Sequence, residues 1–64
     1  MLTNSRDIIR RMKSEGWVLD RIKGSHHVFK NPANGDMLII MHPKKDIKIG
    51  LVHSLYRQLG WEKK

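Results

Sequence analysis

The segment MLIIM, residues 37–41, is an almost entirely apolar run with turn-forming residues on both sides, NPANGD before it and HPKKD after it. Such a short run favours a β-strand at the centre of a sheet or on its covered side. The chain offers one amphipathic helical pattern near each terminus to cover that sheet. Two apolar helix stripes and one thin sheet can bury each other only if both helices lie on the same face.

The helical patterns have recognisable starts and ends. In the first, TNSRDIIRRMKSEG, Asn4 or Ser5 can cap the helix and Gly16 can end it. Its apolar stripe comprises Ile8, Ile9 and Met12. In the second, the apolar side chains recur at the i, i+3, i+4, i+7 spacing of one helix face and belong to Val52, Leu55, Tyr56 and Leu59. Gly60 ends this helix, and we expect Trp61 to fold back on the core.

Two further strands are predicted before the apolar one, at residues 17–23 and 26–30, joined by a turn at Gly24 and Ser25. The first alternates imperfectly, since Leu19 and Arg21 would share a face. Strands joined by short turns form an antiparallel meander. The sequence therefore predicts one α+β domain over residues 1–64, in the order α-β-β-β-α. It has a three-stranded antiparallel sheet with two helices on one face, the layout of a double-stranded-RNA-binding domain.

The charge of the chain indicates an anionic partner. Thirteen Lys and Arg against six acidic residues give a net charge of +7. So basic a small domain attracts polyanions, of which nucleic acid is the first candidate and a membrane surface the alternative. The chain has no cysteine, which excludes disulfides and thiolate-bound zinc. We find no long apolar run and no signal-peptide pattern, and expect a cytoplasmic protein that does not enter a membrane.

The adjacent histidines His26 and His27 stand out, because folding alone does not require them. Neighbours in a strand point to opposite faces, so the two rings cannot easily bind one metal ion, and we expect no metal and no cofactor. If Val28 packs under the helices, His27 and Phe29 lie together on the open face of the sheet. If Phe29 is in the core instead, His26 is the open-face residue. Periodicity leaves both arrangements open.

In the first arrangement, the surroundings of His27 suit RNA. An imidazole can take or give a proton near neutral pH. The side chain of Phe29 could stack on a base. The cations expected around this site, which could hold phosphates, are Lys23, Lys30, Lys44 and Lys45.

The stretches GSHHVFKNP and HPKKDIKIGLVHSLYRQLGW resemble the HicA toxins of bacterial toxin–antitoxin systems, and the resemblance runs from about Ser5 to Trp61. It implies an mRNA interferase that cleaves mRNA and is silenced by a HicB-type antitoxin. It also implies that the essential histidine is the second residue after Gly-Ser, His27. The chain departs from the family at Ile49, where proline is common, and at Lys44, where a small residue is common.

The resemblance and the residues together predict a metal-independent endoribonuclease. The 2′-hydroxyl of RNA is the nucleophile, so the enzyme needs a base, an acid and a stabiliser of the phosphorane charge. His27 would be the base or the acid, and the lysines the stabilisers. For the remaining group the candidates are His42, which could equally be structural, and Tyr56. A non-catalytic RNA-binding module and a protein-interaction domain for an acidic partner remain the alternatives.

Overall fold

A computed structural model describes residues 1–61 of the chain. The elements follow the predicted order, with helix α1, strands β1 to β3 and helix α2 at Ser5–Ser14, Val18–Lys23, His26–Lys30, Met37–Met41 and Ile49–Leu59. The sheet has the strand order β1-β2-β3 and both pairings are antiparallel. The predicted α+β layout, that of a double-stranded-RNA-binding domain, is confirmed.

The apolar segment MLIIM forms β3, which is an edge strand, because β2 is the central strand. Leu38 and Ile40 point into the core, whereas Ile39 on the other face is 56% exposed. The run is therefore apolar on both faces although only one is covered by helices. The prediction of a covered-side strand therefore holds for Leu38 and Ile40, and the prediction of a central strand is wrong.

Helix α1 begins as its sequence predicts. The side chain of Asn4 accepts a hydrogen bond of 2.9 Å from the backbone N–H of Arg6 and so caps the helix. Asp7 lies in the first turn, where the positive end of the helix dipole favours an acidic side chain. Ser5, the other candidate cap, is buried and does not cap the helix.

Strand β1 contains an irregularity that explains its imperfect alternation. Leu19 pairs with Phe29 of β2 and Arg21 pairs with Val28, so Asp20 is an extra residue without a register partner. A bulge of this kind shifts the strand by one residue, and the side chains that follow it change faces. Leu19 and Arg21 consequently lie on opposite faces of the sheet.

The core joins both helices to one face of the sheet. Its large side chains, all buried, come from both helices, from β2 and β3 and from the adjoining segments, whereas β1 contributes none. They belong to Ile8, Ile9, Met12, Trp17, Phe29, Leu38, Ile40, Ile47, Val52, Leu55, Tyr56 and Trp61. Trp61 folds back as expected, and its Nε1–H donates a hydrogen bond of 2.7 Å to Glu15 just beyond α1. This contact ties the residue that follows α2 to the far end of α1.

Helix α2 starts without a capping side chain. Its N-cap is Lys48, which makes no side-chain cap hydrogen bond, and Ile49 is the first helical residue. The helix ends at Gly60, which adopts the left-handed conformation with a φ of 73° that glycine takes without strain. The loop before α2 is joined to the N-terminal segment by two backbone hydrogen bonds of 2.9 Å, from Ser5 N to Lys44 O and from Ile47 N to Thr3 O.

Candidate active site

The face on which His27 lies is determined by Phe29. Phe29 is only 1% exposed and belongs to the core beneath the helices. Because His27 is two residues away on the same strand, it lies on the covered face, and His26 lies on the open face. Of the two arrangements that periodicity left open, the structure has the second, with Phe29 in the core and His26 on the open face, so Phe29 is not placed to stack on a base. The single phenylalanine of this small chain fills the core instead.

His27 nevertheless lies at the margin of the helix layer and is half-buried, not sealed. Its Nδ1 is buried and has no hydrogen-bond partner among residues 1–61. Its ring contacts the ring of His42 edge to face, with centroids 5.0 Å apart and planes at 88°. Two histidines that are far apart in sequence therefore form one cluster, which we call the histidine pair.

His42 is held from several sides. Its Nδ1 lies 2.8 Å from the Oγ of Ser5, and the same Oγ accepts a hydrogen bond of 2.9 Å from the backbone N–H of Lys44. Ser5 is 1% exposed, so this contact is shielded from water. The backbone N–H of His42 donates to the carbonyl of Ser25 at 2.9 Å. These bonds fix the ring of His42 relative to α1 and the β1–β2 turn.

The predicted turn at Gly24 and Ser25 is where the sequence placed it. Gly24 has a φ of 60°, at the first of the two turn residues, where a type II′ hairpin turn requires glycine. The turn fixes the register that pairs Lys23 with His26 and Ile22 with His27. Through its Ser25 carbonyl it also holds the backbone of His42. The Gly-Ser pair thus positions both members of the histidine pair.

Positively charged side chains of α1 line a surface groove of about 300 Å³ that leads to His42. Arg6, Arg10 and Lys13 are exposed along it, with Ile9 at its base. These three cations were not among the predicted site residues. Their i, i+4, i+7 spacing places them on one helix face, and that spacing was the signal that could have identified them.

A second groove of about 250 Å³ opens on the other side of His42. It contains two of the predicted RNA-binding residues, Lys44 and Lys45, together with Arg6 from α1. His42 and Arg6 line both grooves. His42 therefore lies where two cationic grooves meet, and His27 reaches this place through its ring contact with His42.

The other two predicted RNA-binding lysines are not brought to this place. Lys30 pairs with Val18 and Met37, and Lys23 pairs with His26. Both lysines therefore lie on the open face of the sheet. The expected ring of four lysines around His27 is therefore divided between two sides of the sheet. Of the four, Lys44 and Lys45 line a groove together with His42.

Tyr56, a candidate for the remaining acid or base, is buried, and its hydroxyl oxygen accepts a hydrogen bond of 2.6 Å from the backbone N–H of Leu2. Its ring packs against Trp61, with centroids 5.2 Å apart. It is a structural residue of the core. His53, on α2, is exposed.

Within residues 1–61 no three side chains of histidine, aspartate or glutamate come together in a way that would hold a metal ion. None of the helices in this range has the length and apolar character needed to cross a membrane.

Comparison with known proteins agrees with the fold and the sequence pattern. No curated protein matches the chain. The family model for the HicA toxin of bacterial toxin–antitoxin systems matches residues 5–61, a range that contains every element of the fold and the histidine pair. The chain therefore belongs to the HicA toxin family.

Proposed function

We propose that this toxin is an endoribonuclease that cleaves mRNA in the cytoplasm, with His27 transferring a proton during cleavage. Membership of the HicA toxin family supports a toxic activity. The observation that carries the proposal is the edge-to-face contact of His27 with His42, a residue that lines two cationic grooves. Imidazoles surrounded by phosphate-binding cations are suited to phosphodiester chemistry.

The reaction we propose needs no metal ion and no cofactor. The ribose 2′-hydroxyl attacks the neighbouring phosphorus, so that the 2′-oxygen–phosphorus bond forms and the bond from phosphorus to the 5′-oxygen breaks. His27 accepts the proton of the 2′-hydroxyl, and the departing 5′-oxygen takes a proton from water. The products are a 2′,3′-cyclic phosphate and a 5′-hydroxyl. Because Nδ1 of His27 is buried, Nε2 is the nitrogen that would meet the substrate.

RNA binding is assigned mainly to the two grooves. Arg6, Arg10 and Lys13 would hold successive phosphates on one side of His42, and Lys44 and Lys45 would hold them on the other. Lys23 and Lys30 would add to the long-range attraction of RNA from the opposite face. The net charge of +7 favours the same partner.

The family implies that the toxin is one half of a toxin–antitoxin pair. We propose that a HicB-type antitoxin neutralises it by covering the histidine pair and at least one adjoining groove. Both grooves are cationic, so the covering surface would be acidic. Inhibition then requires no change of fold in the toxin, because the substrate is simply kept from the site.

The test compares two adjacent histidines. His27→Ala is expected to lower the rate of RNA cleavage by about 10²- to 10⁴-fold, the usual contribution of one general acid or base. His26→Ala is the matched control, since the same side chain is removed one residue away on the opposite face of the sheet. Purified proteins would be assayed on an RNA transcript with and without EDTA, and the cleaved ends analysed for the cyclic phosphate.

Each outcome has a definite meaning. Undiminished cleavage by a folded His27→Ala protein would refute the catalytic assignment. If wild type binds the transcript but leaves it intact, the non-catalytic RNA-binding module is the better description. Loss of wild-type activity in EDTA would show that the reaction requires a metal ion.

A further inference from the structure

We propose that His42 is a second catalytic residue of this site and donates a hydrogen bond from Nε2–H to a non-bridging oxygen of the phosphate under attack. The inference rests on the proposed ribonuclease activity and deepens it. It assigns different tasks to the two rings, proton transfer to His27 and stabilisation of the phosphorane charge to His42.

The bonds of Ser5 determine which nitrogen of His42 carries the proton. The Ser5 oxygen already accepts a hydrogen bond from the backbone N–H of Lys44 at 2.9 Å. Ser5 is 1% exposed, and within residues 1–61 the Nδ1 of His42, at 2.8 Å, is the partner available to its hydroxyl proton. A buried hydroxyl that lacked an acceptor would cost about 1–3 kcal/mol. The Ser5 hydroxyl therefore donates to Nδ1, and the proton of the neutral ring is on Nε2.

This tautomer limits the chemistry open to His42. With Nδ1 occupied as an acceptor and Nε2 protonated, the neutral ring has no free lone pair with which to act as a base. Removing the Nε2 proton would leave an imidazolate, so the neutral ring is also a poor acid. It remains a good hydrogen-bond donor. Neutral histidine in this role is an established way of stabilising negative charge that develops during a reaction.

The position of His42 suits a donor. The ring is half-buried and lines both cationic grooves, so it borders a phosphate bound in either one. The ring of His27 lies 5.0 Å away between centroids. A single phosphodiester group is of the right size to contact both rings at once.

His42 is also fixed before the substrate arrives. Its backbone N–H is bound to the Ser25 carbonyl, and its Nδ1 is bound to Ser5. The residues after it are joined to the N-terminal segment through the bond from Ser5 N to Lys44 O. A donor that is held in place need not reorganise during the reaction, which is the condition under which such a hydrogen bond contributes most to the rate.

The first experiment compares glutamine with alanine at both histidines. Glutamine can place an N–H donor near the position of Nε2 but cannot accept and release a proton as imidazole does. We expect His42→Ala to lower kcat by about 10²- to 10³-fold, as for loss of one oxyanion donor. We expect His42→Gln to recover most of that loss, whereas His27→Gln should be as inactive as His27→Ala. If His42→Gln is as inactive as a folded His42→Ala protein, the donor role is wrong.

The second experiment compares cleavage rates of two substrates by the wild-type protein, so its decisive result does not depend on the folding of a variant. The probe is a short RNA oligonucleotide with a phosphorothioate at a linkage that wild type cleaves, in its Rp and Sp forms. Sulfur accepts hydrogen bonds poorly, so one form should be cleaved at least about tenfold more slowly by wild type than the other. His42→Ala should lose this difference. Equal rates for both forms with wild type would overturn the proposal.

A third substrate distinguishes a donor from an acid. In an RNA with sulfur at the bridging 5′ position, the leaving group departs without being protonated. If the defect of His42→Ala disappears on this substrate, His42 is a general acid and the hydrogen-bond assignment is wrong; if the defect persists, the assignment stands. These results are separable from the proposed function, because loss of activity in His27→Ala together with a fully active His42→Ala would overturn only the role of His42.

Discussion

The ring of His27 meets the ring of His42 edge to face, with centroids 5.0 Å apart, although one belongs to the central strand and the other to the loop after the edge strand. The contact makes the two histidines neighbours on one surface. It also implies that removing either ring changes the environment of the other. Their contributions to cleavage should therefore be coupled.

We expect the double variant His27→Ala/His42→Ala to be about as slow as His27→Ala alone. When two groups act together on one phosphate, the rate losses of the two single variants do not multiply. Once the first group is removed, removing the second lowers the cleavage rate little further. The measurement is kcat/KM for RNA cleavage by wild type, both single variants and the double variant. A double-variant defect equal to the product of the two single defects would mean that the rings act independently.

The α1 groove predicts a specific salt dependence. Arg10→Gln should weaken RNA binding and lower the slope of log affinity against log salt concentration by about 0.7, the value for one phosphate contact to single-stranded nucleic acid. Lys30→Gln removes one charge from the opposite face and should change the slope less. Both slopes can be obtained from fluorescence titrations of a labelled RNA at several salt concentrations. A larger effect at Lys30 would place the RNA on the open face.

Phe29 should matter for stability and not for RNA. Phe29→Leu reduces a side chain that is 1% exposed, and we expect the free energy of unfolding to fall by about 1–2 kcal/mol. The RNA affinity of the folded variant should equal that of wild type. Urea unfolding and RNA titration on the same sample check the two statements. A large loss of affinity in a folded variant would revive stacking of a base on this ring.

The uncapped start of α2 offers a stabilising substitution. Lys48→Ser places a hydroxyl at the N-cap, where it can accept a hydrogen bond from an otherwise free backbone N–H. We expect a gain of about 1 kcal/mol in the free energy of unfolding. Lys45→Ser is the control, because it removes the same side chain from the loop before the helix. Thermal and urea unfolding measure the difference, and equal stabilities of the two variants would contradict the capping argument.

The fold was predictable because the local signals agreed with one another. The i, i+3, i+4, i+7 stripe of α2, the cap at Asn4 and the Gly24–Ser25 turn each determine a local structure without reference to the rest of the chain. The face of each strand was less predictable. The bulge at Asp20 changes the faces of β1 by one residue, and the imperfect alternation at Leu19 and Arg21 indicated an irregularity there without showing that it was an extra residue.

The site was only partly predictable for a related reason. Resemblance identified His27, but periodicity left the face of the sheet on which it lies open, and the burial of Phe29 in the core decides it. The Ser5–His42 bond joins residues that are 37 positions apart. Such a contact depends on how the loop after β3 packs against the start of α1, and no local spacing encodes that packing. His42 could therefore be named as a candidate but not separated from a structural histidine.

The attachment of the loop after β3 to the N-terminal segment has a consequence for biosynthesis. His42 is held by Ser5 from the start of the chain, and the loop that follows it is anchored through Ile47, which packs in the same core as α2. A nascent chain whose helix α2 has not yet emerged from the ribosome thus has both His27 and His42 but no assembled site. Fragments that end before Ile49 are accordingly expected not to arrest growth when expressed, so translation of a truncated message yields no toxic product.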